Sequence, residues 1–402
     1  MDVPAFRISE GSGPLVEPLP FSTAEYEARL AALRREMSSQ NVDAFVSFTP
    51  ENIYYLTGHD TPGYYFYQAC VVTMNAAPVN VLRRIESTNT LWRSWNRRTV
   101  IYEDREDPVA ATLWLLGELG VLAGRVALEE NSFFVTPRRH SDLTAGIQRS
   151  GGTPIASQPV EGLRLMKSEE EIAYLRTGAR IVEAAMHAAV EASREGVTEN
   201  DVAAQMLGAM VHAGGEYSGL PPFITSGPRT SLCHATWGGR TLVKGDVLAY
   251  ELPGVFKRYA APLFRCGTVG PAPDDVRALG EACQASLEAV IAAIRPGATS
   301  ADVHEQSRRT FERAGFGDLL GHRTGYSVGI NYPPDWGEGH ILSIWADDDR
   351  TLEPGMSLHL VPGIFVPGRH LVVISDTVLV TADGCEVLTN FPRELFEAPL
   401  RS

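Results

Sequence analysis

Two carboxylates in the stretch Gly245–Cys266 hold different positions relative to an apolar run. Asp246 lies in the turn that precedes the run, and Glu251 ends it. Val247 to Glu251 is rich in strand-forming residues, so we expect Glu251 at the end of a β-strand that lines a pocket. A lone glutamate there is usually solvated at a rim. In a cleft it could instead serve as a base or as a carboxylate nucleophile.

A histidine upstream could supply the proton transfer that such a carboxylate needs. His234 follows the pair Ser226-Gly227 and precedes the apolar run. Because imidazole titrates near neutrality, His234 is suited to carry a proton to a leaving group. A single histidine is more often structural, so a catalytic role requires support from the surrounding pattern.

The elements of the first half alternate between helices and apolar strands. Ser22 or Thr23 caps a helix whose apolar residues Tyr26, Leu30, Leu33 and Met37 recur at helical spacing. A further helix is predicted over 112–122, and strands over 44–48, 69–74, 78–82 and 126–129. This alternation predicts a small α/β domain with a mixed or mainly parallel sheet, over residues 1–160.

The second half, residues 161–402, shows a different pattern. Ser168 and Glu171 form a capping box at the start of a long helix, and more helices are predicted over 201–213, 276–294 and 300–314. Strands are predicted over 247–251, 255–264, 357–365 and 371–380, with Pro253-Gly254 as a turn. Helices on one face of an antiparallel sheet describe an α+β domain.

Composition excludes several classes of function. The 402 residues include 35 basic and 49 acidic side chains, and the net charge of −14 argues against nucleic acid and anionic membranes as partners. No apolar run approaches the length of a membrane span, and the first residues lack a signal-peptide pattern, so we expect a cytoplasmic protein. Five widely spaced cysteines indicate reduced thiols rather than a disulfide framework or a zinc site.

Several short motifs occur in the order found in the creatinase and prolyl aminopeptidase family, also called the pita-bread family. Lys167–Glu171 resembles the entry to the catalytic domain of that family, and Leu352–Met356 resembles its late turn. Ser226-Gly227 with Cys233-His234 resembles the segment that carries a catalytic histidine. Each motif is weak alone, but together they extend over nearly the whole chain. The resemblance implies an α/β amino-terminal domain followed by an α+β pita-bread catalytic domain.

The metal-binding positions of that family are mostly replaced. The five ligand positions of the metal-dependent members fall here on Glu251, Pro262, Tyr326, Val361 and Ser375. A two-metal site needs several carboxylates and a histidine around ions about 4 Å apart. One candidate in five remains, so the resemblance implies no metal at that place and no other cofactor.

The motifs most resemble a metal-free branch of the family, the one that contains ectoine hydrolase, which opens a cyclic amidine. The most specific part is the run Arg323–Glu338, and Leu56–Asp60 followed by Tyr65 and Gln68 also matches. Creatinase, another metal-free relative, has its catalytic histidine at the position of His234. Its two pocket glutamates fall here on Phe264 and Val361, so the resemblance does not favour creatine as the substrate.

The resemblance assigns roles to individual residues. Ectoine is a cyclic amidinium with a carboxylate, so hydrolysis needs attack at the amidine carbon, a proton for the departing nitrogen and a clamp for the carboxylate. Glu251 is expected to face the amidinium, as the base for water or as the nucleophile, and His234 to transfer the proton. The expected substrate-binding residues are His359, Tyr326, Tyr332, Asp335, Trp336, Arg323, Tyr65 and Gln68.

Some of these roles have structural alternatives. His359 could equally be a packed core histidine. Trp336 is expected to pack over an organic cation. Arg323 or Arg258 is expected to hold the substrate carboxylate, with an internal ion pair as the alternative. Tyr65 and Gln68 are expected to close the pocket of a second subunit, because relatives are homodimers with shared sites.

The first functional hypothesis is therefore a metal-independent hydrolase of a non-peptide C–N bond in a small zwitterion. Ring opening of ectoine or hydroxyectoine to N-acetyl-diaminobutyrate is the expected reaction. The alternatives are a creatinase-like amidinohydrolase acting on another guanidino or amidine compound, an Xaa-Pro metallopeptidase, and a non-catalytic binding protein. Bound metal would favour the peptidase, and an inconsequential Glu251→Ala change would favour the binding protein.

Overall fold

Residues 6–401 are described by the computed structural model, which divides the chain after Arg164 into two units. Whether residues 1–160 form an independent domain stays a prediction. Within the described residues, no helix is both long and apolar enough to cross a membrane. The five cysteines are free thiols.

The first unit is built on a seven-stranded mixed sheet with the order β1-β5-β4-β3-β2-β6-β7. Its strands are β1 Ile8–Glu10, β2 Ala44–Ser47, β3 Ala69–Thr73, β4 Val79–Arg83, β5 Arg98–Tyr102, β6 Arg125–Leu128 and β7 Thr153–Ala156. Its helices are α1 Thr23–Ser39, α2 Pro50–Thr57, α3 Ser87–Arg93, α4 Pro108–Glu118, α5 Pro137–Arg149 and α6 Pro159–Leu165, which ends one residue past the division. Three strand pairs are parallel and three antiparallel, as a mixed sheet requires.

Local capping explains where the first helices begin. The Ser22 side chain accepts a hydrogen bond from Glu25 N, which confirms the predicted start of α1. α4 begins at Pro108 rather than at the expected residue 112. Asp107 caps that helix, and Pro108 fits its first turn because the missing N–H has no partner there in any helix.

The second unit contains four long helices, α7 Glu169–Ala192, α8 Glu199–His212, α9 Asp274–Ala293 and α10 Ser300–Arg313. One sheet has the order β8-β9-β10-β18, with β8 Phe223–Ser226, β9 Val247–Phe256, β10 Tyr259–Val269 and β18 Phe396–Ala398. A second has the order β12-β11-β13-β16-β17, with β11 Gly325–Ser327, β12 Ser343–Ile344, β13 Ser357–Leu360, β16 Asp376–Val380 and β17 Cys385–Val387. β14 Gly363–Val366 and β15 His370–Val373 form a hairpin. Short 3-10 helices lie at Gly227–Ser231 and Gly317–Leu319.

The capping box predicted at the start of α7 is confirmed, since Ser168 and Glu171 exchange their two hydrogen bonds. The strand pairs of this unit are antiparallel except that β10 and β18 run parallel. This combination of helices and mostly antiparallel sheets agrees with the α+β class.

The turn predicted at Pro253-Gly254 is wrong. Both residues lie inside β9, and the chain reverses at Lys257 and Arg258, which have φ of 48° and 65°. A side chain at Gly254 would meet the carbonyl oxygen of Gly178 on α7 at 2.0 Å. Gly254 therefore allows β9 to approach α7 closely, a demand that the local sequence does not reveal.

Two predicted strands are each broken in the structure. The run 357–365 divides into β13 and β14, and the run 371–380 divides into β15 and β16, with Ser375 in the second break. There Ser375 N donates to Phe264 O at 3.2 Å, and Phe264 N donates to Ser375 Oγ at 2.7 Å. The break therefore turns the Ser375 side chain to the edge of β10.

Candidate active site

Glu251 lies within β9 rather than at its end, between two aromatic neighbours. In the register of the sheet it is opposite Phe223 of β8 and Phe264 of β10. Residues opposite one another in antiparallel strands share a face, so both rings flank the carboxyl group. Glu251 is 7% exposed, and no hydrogen bond or ion pair joins it to any residue in the range 6–401. Burial, and then the charge of Asp335, raises its pKa to about 8.

Asp335 is the second carboxylate of the site and is exposed. Its Oδ1 accepts hydrogen bonds from Trp336 N at 2.7 Å and Gly337 N at 3.1 Å, which fix the loop between β11 and β12. The charge of Asp335 acts on both Glu251 and Tyr326. The expected contact of Tyr326 and Asp335 with the substrate stays a prediction.

A chain of hydrogen bonds runs from Trp336 through Tyr326 to His359. Trp336 Nε1 donates to the Tyr326 hydroxyl at 3.0 Å, and that hydroxyl lies 2.9 Å from His359 Nδ1. On its other side, His359 Nε2 lies 2.7 Å from Ser375 Oγ. Tyr326 on β11 and His359 on β13 are cross-strand partners, so the sheet register brings the rings together.

Burial keeps both rings of this chain neutral. Desolvation, and then the charge of Glu251, raises the pKa of Tyr326 well above its usual value. Burial and the positive charges of Arg323 and Arg265 lower the pKa of His359 to about 3. His359 is thus a fully buried, hydrogen-bonded histidine, and its contact with a substrate stays a prediction.

Arg323 provides a positive charge beside the Tyr326 ring. Its guanidinium lies 4.2 Å from the centre of the Tyr326 ring, and its Nη1 donates to Ser343 Oγ at 3.0 Å. Arg323 is half-buried and forms no ion pair with a carboxylate in the described part of the chain. It is therefore free to receive an anionic group.

Arg258, the alternative carboxylate clamp, is occupied. It is 1% exposed, donates to the carbonyl oxygens of Asn331 and Tyr217, and lies 3.8 Å from a Glu216 oxygen. The Tyr332 ring, 1% exposed, lies 4.7 Å from the same guanidinium. These contacts give Tyr332 and Arg258 a role in holding the loop, and substrate contact by Tyr332 stays a prediction.

His234 lies on an exposed loop and has a φ of 57°. Its ring is 5.2 Å from that of Phe223, and the Phe223 ring is 4.8 Å from that of Trp336. Burial and the charge of Glu251 raise the pKa of the adjacent Cys233 thiol. Phe223 and Cys233 thus connect the His234 loop with the face that carries Glu251.

Glu199, at the start of α8, contacts residues on both sides of His234 in the chain and so holds the His234 loop, residues 227–240. It is fully buried, accepts from Ser226 Oγ and Gly238 N at 2.8 Å each, and pairs with Arg229. Asp246, the other carboxylate of the initial sequence pattern, pairs with Arg240 and accepts from Val243 N. Asp246 is therefore structural.

The remaining candidates behave differently from one another. Trp336 is 2% exposed and packs on Phe223, so it supports Tyr326, and stacking over a cation stays a prediction. Tyr65 and Gln68 belong to the first unit, where Tyr65 is 73% exposed and Gln68 is buried. Their proposed contact with a second subunit stays a prediction.

No role in the site was predicted from sequence for four residues that the structure connects with it. Strand register or long-range contacts connect these residues with the site, and no local motif identifies their roles. They are Phe223, Cys233, Glu199 and Ser375. Ser375 falls on a metal-ligand position of the resembled family, which drew attention to that position. The family pattern does not predict that the serine there contacts His359.

The donor set does not fit a pair of divalent ions. Among residues 6–401 no three His, Cys, Asp or Glu side chains converge as metal ligands. Of the positions expected for ligands, Pro262 and Val361 offer no side-chain donor, and the hydroxyls of Tyr326 and Ser375 are hydrogen-bonded to His359. Metal binding at this place would require those hydrogen bonds to break.

Two protein-family models match this chain. Residues 173–382 match Metallopeptidase family M24, and residues 29–166 match the Creatinase/Prolidase N-terminal domain. The chain belongs to metallopeptidase family M24 and is a hydrolase of that family. The family and the fold class expected from the motifs are confirmed.

Individual relatives extend over almost the whole chain. Ectoine hydrolase of Halomonas elongata is 30% identical over 399 residues, which cover 94% of this chain and 98% of that protein. The uncharacterized hydrolase/peptidase y4tM of Sinorhizobium fredii is 33% identical, with the same coverage. The crystal structure of dipeptidase PepE from Mycobacterium ulcerans is 27% identical, with a TM-score of 0.80 over 94% of this chain and 99% of its own. Prolidase from Thermococcus sibiricus, 21% identical with a TM-score of 0.82, shows the same fold over 94% of this chain and all of its own.

Proposed function

We propose that this hydrolase opens a small cyclic amidine that carries a carboxylate, with ectoine as the first candidate, and that it does so without a metal ion. The observation that carries the proposal is the buried Glu251 carboxyl group, which has no partner among the described residues. The similarity to ectoine hydrolase supports the substrate class.

The charges of the site match a zwitterion. Glu251 and Asp335 offer negative charge to an amidinium, and Arg323 offers an unpaired guanidinium to a carboxylate. Arg323 and both carboxylates act on the same phenol, that of Tyr326, which supports a site that carries charges of both signs. A neutral or purely cationic substrate would leave Arg323 unused.

A cationic ligand would ionise Glu251. At pH 7, ionising a carboxyl group whose pKa is about 8 costs about 1.4 kcal/mol. A unit positive charge about 4 Å away contributes about 4 kcal/mol at an effective dielectric constant near 20. Because the attraction exceeds the cost, the bound amidinium faces a carboxylate. That carboxylate then removes a proton from water or attacks the amidine carbon itself.

The reaction balances without a metal or an oxidant. An amidinium and one water molecule give an amide and an ammonium group, and the total charge is unchanged. His234, on the exposed loop beside Phe223, is proposed to deliver the proton to the departing nitrogen. The proposal also includes a cytoplasmic homodimer, in which Tyr65 and Gln68 of one subunit would contribute to the pocket of the other.

The test uses the full chain after treatment with a chelator. Incubated with ectoine, it should release N-acetyl-diaminobutyrate, detected by proton NMR, and added Mn²⁺ should not raise the rate. Glu251→Gln should abolish release. The same preparation is given an Xaa-Pro dipeptide with and without Mn²⁺.

The outcomes separate the candidate functions. Dipeptide cleavage that depends on Mn²⁺, with intact ectoine, would show a metallopeptidase and end the proposal. Turnover of an acyclic guanidino compound in preference to ectoine would favour the creatinase-like alternative. Light scattering of the eluted protein decides between monomer and dimer.

A further inference from the structure

The Tyr326 hydroxyl oxygen has two hydrogen-bonding neighbours, Trp336 and His359. Trp336 Nε1–H can only donate, and it points at this oxygen from 3.0 Å. His359 Nδ1, 2.9 Å away, donates or accepts according to its tautomer. The direction of the Tyr326 hydroxyl hydrogen is therefore decided by where His359 carries its proton.

Ser375 decides that tautomer. Its Oγ already accepts from Phe264 N at 2.7 Å, and its second neighbour is His359 Nε2 at 2.7 Å. If His359 were protonated at Nε2, Ser375 Oγ would accept twice, and its own hydrogen would have no acceptor among residues 6–401. Because Ser375 is fully buried, that unmet donor would be costly.

Protonation at Nδ1 instead leaves only the Tyr326 hydroxyl hydrogen without an acceptor among residues 6–401, and Tyr326 is 7% exposed whereas Ser375 is fully buried. Ser375 then donates to Nε2, and His359 Nδ1–H donates to Tyr326. The Tyr326 oxygen accepts from both His359 and Trp336, so its own hydrogen turns away from both. The charges of Glu251 and Asp335 both act on this phenol, so the hydroxyl belongs to the candidate site.

We propose that Tyr326 is an oriented hydrogen-bond donor to the oxygen atom that adds to the substrate, and that Ser375, through His359, is the positioning residue that orients it. The inference rests on the proposed amidine hydrolysis. An amidinium has N–H donors and no acceptor, so the ground-state substrate does not use this hydrogen. The added oxygen, whether it comes from water or from Glu251, takes its place on the amidine carbon only on attack, so its hydrogen bond to Tyr326 is complete only then. A donor fixed in advance for such an atom raises kcat rather than affinity.

Histidine NMR tests the orientation without any substrate. In full-length protein with ¹⁵N-labelled histidine, the His359 signals, assigned by their loss in His359→Gln, should show a protonated Nδ1 and a bare Nε2. Ser375→Ala should shift the proton toward Nε2, and Ser375→Thr, which keeps the hydroxyl, should not. A protonated Nε2 in the unmodified protein would overturn the proposal.

Kinetics test the consequence for catalysis. Tyr326→Phe should lower kcat by about 100-fold with little change in KM. Ser375→Ala should lower kcat by about 10-fold, and the double variant should be no slower than Tyr326→Phe alone. Ser357→Ala is the matched control, since Ser357 is on the same strand as His359, is fully buried and donates to Val328 O at 2.7 Å.

Each result has a separate meaning. Losses that multiply in the double variant would assign Ser375 a merely structural role and contradict the proposal. A loss confined to KM would place Tyr326 on the substrate carboxylate and also contradict it. If the unmodified protein leaves ectoine intact, the proposed function fails, while the histidine spectrum still decides the orientation of Tyr326.

Discussion

Asp335 is the charge that acts on Glu251, and neither carboxylate forms an ion pair with a basic side chain in the described part of the chain. Two carboxyl groups placed in this way repel each other, which costs stability in the empty protein. A cation between them would relieve the repulsion. Under the proposed function that cation is the amidinium, and the pair predicts how the site responds to pH and to mutation.

The ionisation of Glu251 should determine how kcat/KM falls on the acid side of its pH profile, the acid limb. Because catalysis needs the ionised carboxylate, kcat/KM should rise with pH and level off above about pH 8, the pKa of the free carboxyl group. Asp335→Asn removes the neighbouring negative charge, so the limb should move to lower pH while the plateau value falls. Burial, the larger cause, should keep the limb above the ordinary glutamate range. Asp347→Asn, on an exposed aspartate, is the control, and an unmoved limb in Asp335→Asn would contradict the electrostatic coupling.

Glu251 should also make the fold less stable at high pH. Its folded pKa of about 8 lies above the ordinary glutamate value of 4.5, so the neutral carboxyl group favours the folded protein at low pH. That stability is lost as pH rises between the two values. As pH rises over this range, the unmodified protein should lose a few kcal/mol of unfolding free energy relative to Glu251→Gln, on the order expected from the raised pKa of Glu251. Urea unfolding at pH 5, 7 and 9 measures this, and parallel pH dependences would argue against a buried, unpaired carboxyl group.

The sequence predicted those structural features that are determined by residues close to one another in the chain. The capping box of Ser168 and Glu171 was found because its two hydrogen bonds close within one turn. Glu251 was found because it follows a run of strand formers, and Tyr326 because of a motif. The expected reversal at Pro253-Gly254 was wrong because Gly254 serves a contact with α7, from a distant part of the sequence.

The missed residues share a physical cause. Phe223 reaches Glu251 through the register of β8 on β9, and Ser375 reaches His359 through a break between two strands. A register shift of one residue would turn Phe223 to the other face of its strand, and the local sequence shows neither that register nor the break at Ser375. The hydrogen-bond chain that now occupies the expected metal positions is likewise visible only in three dimensions.

Arg323 should set the preference for a ligand carboxylate. Arg323→Gln should raise KM for ectoine by about 10- to 100-fold, because a charged hydrogen-bond pair contributes about 1.5 to 3 kcal/mol. For a cyclic amidine without a carboxylate, the same change should alter KM little. Arg309→Gln is the matched control, because Arg309 already pairs with Glu305 and is exposed. An equal rise in KM for both ligands would show that Arg323 supports the site without contacting the carboxylate.

The His234 loop should depend on a residue that does not contact the substrate. Glu199→Gln removes the charge that pairs with Arg229 and weakens the acceptor for Gly238 N, so the loop from Gly227 to Arg240 should open more often. We expect faster hydrogen exchange in that segment and a fall in kcat of about 10-fold or more, since a displaced proton donor loses its geometry. Asp201→Asn, in the same first turn but exposed and bound to Thr198, should destabilise α8 without moving the loop. Slow exchange over 227–240 in Glu199→Gln, together with full activity, would contradict this dependence.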